Sequence, residues 1–241
     1  FQYHYFIYIK ELTKNMLKVS IAPDGKEYPL PDAKEAEKER EILKQITAEQ
    51  IALGRKIVAV QGLGFVGCVM ATVVADATDE DGKPIYFVHG HQRASQRSYW
   101  KVPVINSGIP PVNSSDPEVP KIFHRTVIEK KNFRATSEES VYGLVDIVVV
   151  DIQLDATKPA FGDAEQGYCD ITAFREGIRT LGKYIQPECL VLVETTVPPG
   201  TCEKVVKPIL EEEFTKRGID IEKKPPLIAH SYERVMPGAH Y

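Results

Sequence analysis

The sequence predicts an α/β protein: a doubly wound parallel sheet preceded by an N-terminal helical extension. Three observations carry that expectation. From residue 55 onward, short β-branched runs alternate with helix-forming stretches. The runs are apolar throughout instead of alternating with polar residues, as strands covered on both faces are. A glycine-spaced turn, "QGLGFVG" at 61–67, joins the first run to the first helix. With right-handed crossovers, such alternation gives a parallel sheet with helices on both sides.

The elements follow in order. Residues 1–54 form the extension, in which "FQYHYFIYIK" is a candidate strand and "APDGKEYPLPD" is turn-rich. The stretch 33–53 is a charged helix with apolar residues at Ile42, Leu43, Ile46 and Ile51. Asp32 is placed to cap it and Gly54 to end it. Its narrow apolar stripe is expected to lie across a neighbouring surface or a second subunit. Residues 55–241 make the sheet domain. Strands are expected at 56–60, 84–90, 132–137, 145–152, 189–195 and 225–231, and helices at 65–77, 116–131, 170–185 (capped by Asp170) and 201–218 (capped by Thr201).

Composition narrows the function. The formal charge of −4 gives no reason to expect nucleic acid or an acidic membrane as partner. No apolar run approaches the roughly 20 residues that span a bilayer. The apolar opening lacks a basic n-region and a small-residue cleavage site, so it does not read as a signal peptide. Cys68, Cys169, Cys189 and Cys202 form no CxxC pair and no zinc-spaced cluster. Reduced thiols and a cytoplasmic location are the expectation.

Gly62, Gly64 and Gly67 have GxGxxG spacing between a strand and a helix, the context that makes this motif a dinucleotide loop of the Rossmann type. Gly62 would permit the tight turn, Gly64 would let the backbone approach a pyrophosphate, and Gly67 would allow close helix packing. Phe65 and Val66 open the helix whose free N–H groups favour phosphate. In "VETTVPPGT", Thr195 and Thr196 end a buried strand, where open α/β sheets bind ligands; by spacing alone they are equally β-propensity filler. In "AHSYERVMPG", Glu233 is a general base or a helix cap.

From about residue 56 to 241 the chain resembles the N-terminal domain of the UDP-glucose/GDP-mannose dehydrogenase family. "VQGLGFVG" resembles its dinucleotide loop, "VETTVPPGT" its threonine-proline motif, and "AHSYERVMPG" its PERxxPG segment, in the form of UDP-N-acetylhexosamine 6-dehydrogenases. "INSGIPPVNSSDPE" is a weaker fourth match. The resemblance implies NAD-dependent oxidation of the C6 alcohol of a nucleotide sugar to a carboxylate. Two dinucleotides are used in succession, with a thioester on a cysteine cleaved by water. It implies that the cysteine and most of the sugar-nucleotide site lie in a second domain beyond this chain, and that the complete protein is a homodimer or larger. Thr196 would position water or the substrate hydroxyl, Glu233 would be the base for thioester hydrolysis, and Arg234 would contact substrate or form an ion pair. Cys68 is read as core. Asp151 departs from the family, which has a small residue there; it would bond ribose or a neighbouring loop.

The adenosine end carries a second departure. The second strand ends "YFVHGHQRASQR", with Gln92 near the place of the usual acid, Arg93 and Arg97 nearby, and no carboxylate from His89 to Arg97. An acid there repels a 2′-phosphate and an arginine holds one. The resemblance implies NAD, with NADP as the alternative these residues raise; a solvated loop off the cofactor is the bland reading. Two other functions stand beside the nucleotide-sugar dehydrogenase: a non-catalytic dinucleotide-binding module, and a dehydrogenase that reduces one cofactor per substrate.

Overall fold

The computed structural model describes residues 18–154, 156–157 and 168–232. The candidate strand at 1–10, Glu233 and Arg234 lie outside the described residues.

A short antiparallel hairpin, β1 (Val19–Ile21) and β2 (Glu27–Pro29), leads into helix α1 (Ala33–Ala52). Then come β3 (Lys56–Gln61), α2 (Phe65–Asp76), β4 (Tyr86–His91), α3 (Lys101–Asn106) and α4 (Glu118–His124), which runs on as a π turn over Arg125–Glu129. After β5 (Phe133–Thr136) a 3-10 turn (Glu139–Leu144) connects to β6 (Ile147–Val150). A small pair, β7 (Ala156–Thr157) and β8 (Tyr168–Cys169), precedes α5 (Thr172–Tyr184). The chain continues through β9 (Leu190–Val193), a π turn (Cys202–Val206), α6 (Lys207–Lys216) and β10 (Leu227–His230).

Six strands form one parallel sheet in the order β5-β4-β3-β6-β9-β10. The order turns outward in both directions from the β3–β6 pair, the doubly wound arrangement that the apolar runs predicted. Residues on a strand alternate between faces. Val58 and Val60 of β3 therefore enter one core with Ala71, Ala75, Ile105, Phe123 and Phe133. Ile57 and Ala59 enter the other, with Phe174, Ile178, Leu181, Leu210 and Phe214.

Helix α1 starts as the sequence predicts. The Asp32 carboxylate accepts from the N–H groups of Lys34 and Glu35, both at 2.8 Å, and the Glu35 carboxylate accepts from the Asp32 N–H at 2.9 Å. Gly54 follows with φ of 78°, the left-handed conformation that ends helices. The surface that α1 covers is its own sheet. Leu43 is fully buried in the second core, and the Thr47 hydroxyl is 2.9 Å from His89 Nε2 on β4. Ion pairs Arg134–Glu39 (2.8 Å) and Arg40–Glu138 (3.6 Å) clamp its flank. The cause is the crossover between β5 and β6, which holds only a 3-10 turn. A stretch that short cannot cover the face, and α1 fills the space.

That face also buries polar groups. The Tyr142 hydroxyl is 2.7 Å from His91 Nδ1. Burial pushes the His89 pKa down to about 3 and that of His91 to about 4, so both rings are neutral in the fold.

Two details differ from expectation. Thr201 does not cap the following helix; its hydroxyl donates to the Pro198 carbonyl at 2.6 Å, because the residue already has helical backbone angles. Helix α3 is an addition that runs into the first two residues of "INSG". At its end Asn106 donates to the Ala135 carbonyl (2.9 Å) and accepts from the Ala135 N–H (2.8 Å). Gly108, at φ of 80°, then turns the chain where a Cβ would press on Ile128.

Candidate dinucleotide site

The crevice lies at the C-terminal ends of β3 and β6, where the windings diverge and open α/β sheets bind ligands. Its three glycines are required for different reasons. Gly62 has φ of 98°, and a Cβ there would fall on the Asp151 carbonyl. A Cβ on Gly67 would collide with the Gly62 carbonyl and lie 2.6 Å from a carboxylate oxygen of Asp151. Both are fixed by the fold itself. A Cβ on Gly64 would meet nothing within 4 Å. The packing does not demand glycine there, so the space it leaves open suits a ligand that approaches the backbone. Beside it the first-turn N–H groups of Phe65, Val66 and Gly67 lack intrahelical acceptors, which is how helix N-termini hold phosphate. These residues fit the pyrophosphate of a dinucleotide.

The walls come from neighbouring strand ends. The Leu63 N–H donates to the Gln92 side-chain carbonyl at 3.1 Å, and the Gln92 amide donates to Ser98 at 3.1 Å. The Lys101 ammonium donates to the Leu63 carbonyl at 3.0 Å. Lys101 escaped the sequence reading because α3, which carries it, did. Arg93 is exposed and 3.9 Å from Glu176. Asp151 holds the glycine loop from below: its N–H donates to the Gln61 carbonyl at 2.9 Å, and its carboxylate reaches toward Gly67. Cys68 sits in the core, where burial raises its thiol to about 12 and leaves it inert.

The two threonines divide. The Thr195 hydroxyl accepts from the Ile152 N–H at 2.9 Å and lies 3.2 and 3.1 Å from the carbonyls of Val150 and Ile152, so it ties the end of β9 to the end of β6. Thr196 is exposed at the same rim. Two clefts of about 460 and 420 Å³, one beside Gln186 and Arg217 and one between α1 and Asp146, lie at the opposite, N-terminal edge of the strands. Among the described residues no group of three or more His, Cys, Asp or Glu side chains is placed to hold a metal, and no helix is long and apolar enough to cross a membrane.

A six-stranded parallel sheet with a glycine loop at its switch point defines a dinucleotide-binding domain of the dehydrogenase class. Residues 56–240 match the model of the UDP-glucose/GDP-mannose dehydrogenase family, NAD binding domain, and the chain belongs to that family. The resemblance read from the four motifs is thereby borne out, and NAD is the cofactor of the domain.

Three relatives give the context. UDP-N-acetyl-D-mannosamine dehydrogenase of Pyrococcus horikoshii is 26% identical over 181 residues, covering 75% of this chain and 37% of the relative. The crystal structure of NDP-N-acetyl-D-galactosaminuronic acid dehydrogenase from Methanosarcina mazei Go1 is 34% identical, with a TM-score of 0.65, covering 81% of this chain and 38% of that one. GDP-mannose dehydrogenase of Pseudomonas aeruginosa, at 21% identity, shares the fold with a TM-score of 0.58, covering 75% of this chain and 36% of that one. The chain thus spans under two fifths of the length of these relatives.

Proposed function

We propose that this chain is the cofactor-holding part of a nucleotide-sugar 6-dehydrogenase that oxidises the C6 alcohol of a UDP-N-acetylhexosamine to the uronic acid. The observation that carries the reading is the open space over Gly64, between two glycines whose own Cβ positions the fold already fills. The sugar class is supported by the Pyrococcus and Methanosarcina relatives, both named as dehydrogenases of N-acetylated nucleotide sugars. Bound NAD would supply the hydride acceptor.

The residues divide the work. Gly62 makes the turn, its own N–H held by the His91 carbonyl at 3.0 Å, that brings the backbone N–H groups of Gly64, Phe65, Val66 and Gly67 to the pyrophosphate, and Gln92 and Arg93 border the adenosine ribose. Asp151 and Thr195 fix the two strand ends that frame the nicotinamide. Thr196, exposed at that rim, positions water or the sugar hydroxyl. Glu233 is the base for hydrolysis and Arg234 a substrate contact. The complete protein acts in the cytoplasm as a homodimer or larger, in the supply of sugars for surface polysaccharide. The four free cysteines support that compartment.

The test is stoichiometric. Full-length protein incubated with UDP-N-acetylhexosamines should reduce two NAD for each uronate formed, read by absorbance and chromatography. One NAD per oxidised sugar, or no sugar-dependent reduction, would overturn the reading.

A further inference from the structure

The second strand of a dinucleotide fold normally ends in a carboxylate that bonds the adenosine ribose and repels a 2′-phosphate. Here the position is neutral and built. Gln92 is held at both ends, by the Leu63 N–H at 3.1 Å and by Ser98 at 3.1 Å. Ser98 is held in turn: its hydroxyl is 2.8 Å from that of Ser95 and donates to the Arg93 carbonyl at 3.3 Å. The loop 92–98 is thus pinned against the glycine turn without any acid.

Positive charge surrounds it. Lys101 reaches the Leu63 carbonyl from the other side at 3.0 Å. Burial first, and then the charge of Arg97, push the Lys101 pKa down, while the Cys68 thiol acts the other way. Arg97 stands four residues before Lys101, and among the described residues neither has a carboxylate within ion-pair distance. Arg93 has one distant partner, Glu176 at 3.9 Å, with both side chains largely in solvent. Two cations that repel each other beside a neutral amide are relieved by a dianion.

We propose that the loop 92–98 with Lys101 is a 2′-phosphate subsite, so that the domain takes NADP as well as NAD. Arg97 and Lys101 supply the charge, the Ser95–Ser98 hydroxyl pair fixes the loop, and Gln92 gives the neutral floor. The pyrophosphate is served separately by the start of α2, so the two phosphate groups do not compete for the same donors. The inference rests on the dinucleotide reading of the glycine loop.

Calorimetric titration of the purified full chain with NAD and with NADP, at low and at high salt, tests it. NADP should bind within about tenfold of NAD at low salt, and its affinity should fall more steeply as salt rises. Arg97→Ala should weaken NADP about tenfold or more beyond any effect on NAD, the size of one charge-assisted contact. Gln92→Glu restores the repelling carboxylate and should disfavour NADP in the same sense. Thermal melts confirm that each variant folds. If NAD binds and NADP does not, the subsite is wrong and the dinucleotide site stands. If neither binds, both readings fall. Equal weakening of both cofactors by Arg97→Ala also overturns the subsite.

Discussion

The two faces of the sheet are covered by different means. On the face of α2, α3 and α4, each helix arrives from the connection between strands it covers, and the buried polar side chains there, Thr72, Thr126 and Asn132, donate to main-chain carbonyls of those same connections. On the face of α5 and α6, one helix is borrowed from ahead of the first sheet strand. The same face buries His89, His91, Tyr142, Thr47 and Gln61 among its aliphatic side chains. Apolar strands announce that something must cover them, but not which segment does so. Where the crossover is too short, a helix from outside the repeating pattern takes its place and brings polar pins with it.

Removing residues 18–53 should act chiefly on the second face, with the added loss of the Ser20 hydroxyl that accepts from the Trp100 N–H at 3.0 Å, and have the largest effect. It uncovers Leu43's cavity and His89, at a cost comparable to the ~5–15 kcal/mol that holds a whole domain together. Circular dichroism of the shortened protein should show loss of cooperative unfolding. An unchanged melting temperature would make α1 an ornament.

Acid should act next, again through the second face. His89 and His91 have folded pKa values lowered to about 3 and about 4, against an ordinary 6.5. Between these limits the unfolded chain binds protons that the folded one refuses. Stability is therefore complete above about pH 6.5 and is lost as pH falls toward 4, by up to ~1.4 kcal/mol per pH unit for each ring. Urea unfolding at pH 7 and pH 5 measures the slope, and His89→Gln should flatten it. A slope unaffected by the substitution would mean that the ring is not buried neutral.

The smallest stability effect is expected where packing meets the ligand. Gly64→Ala should cost less than about 1 kcal/mol, as an alanine at a helix N-cap does, because its methyl meets no neighbour. Yet it should sharply weaken NAD in a titration. Strong destabilisation, or undiminished binding, would contradict the role assigned to that space.

The fold was legible because β-branched runs and glycine spacing are properties of neighbouring residues. The strands expected at 56–60 and 84–90 appear at Lys56–Gln61 and Tyr86–His91. What was hidden depends on distance. The stripe on α1 pointed to Ile42 and Ile51, which are exposed, while Thr47, polar by type, is buried by its bond to His89. Helix α3 spans only six residues, too few for a helical period to show, and it conceals Lys101. Thr195 and Thr196 look equivalent in sequence. Successive side chains at a strand end point to opposite sides, so one ties the sheet while the other faces outward.

Asn106 has a consequence for how the molecule meets others of its kind. β5 is the outermost strand on its side of the sheet, and an edge strand offers unpaired backbone groups to any passing chain. The outward N–H and carbonyl of Ala135 are both taken by the Asn106 amide, at 2.8 and 2.9 Å. A side chain thus imitates one residue of a further strand and ends the ladder there. Growth of the sheet from this side, whether as ordered pairing or as aggregation, is blocked at its middle. At the opposite edge β10 presents its backbone beside a partly exposed Leu227. Any protection that edge needs must come from what packs over it.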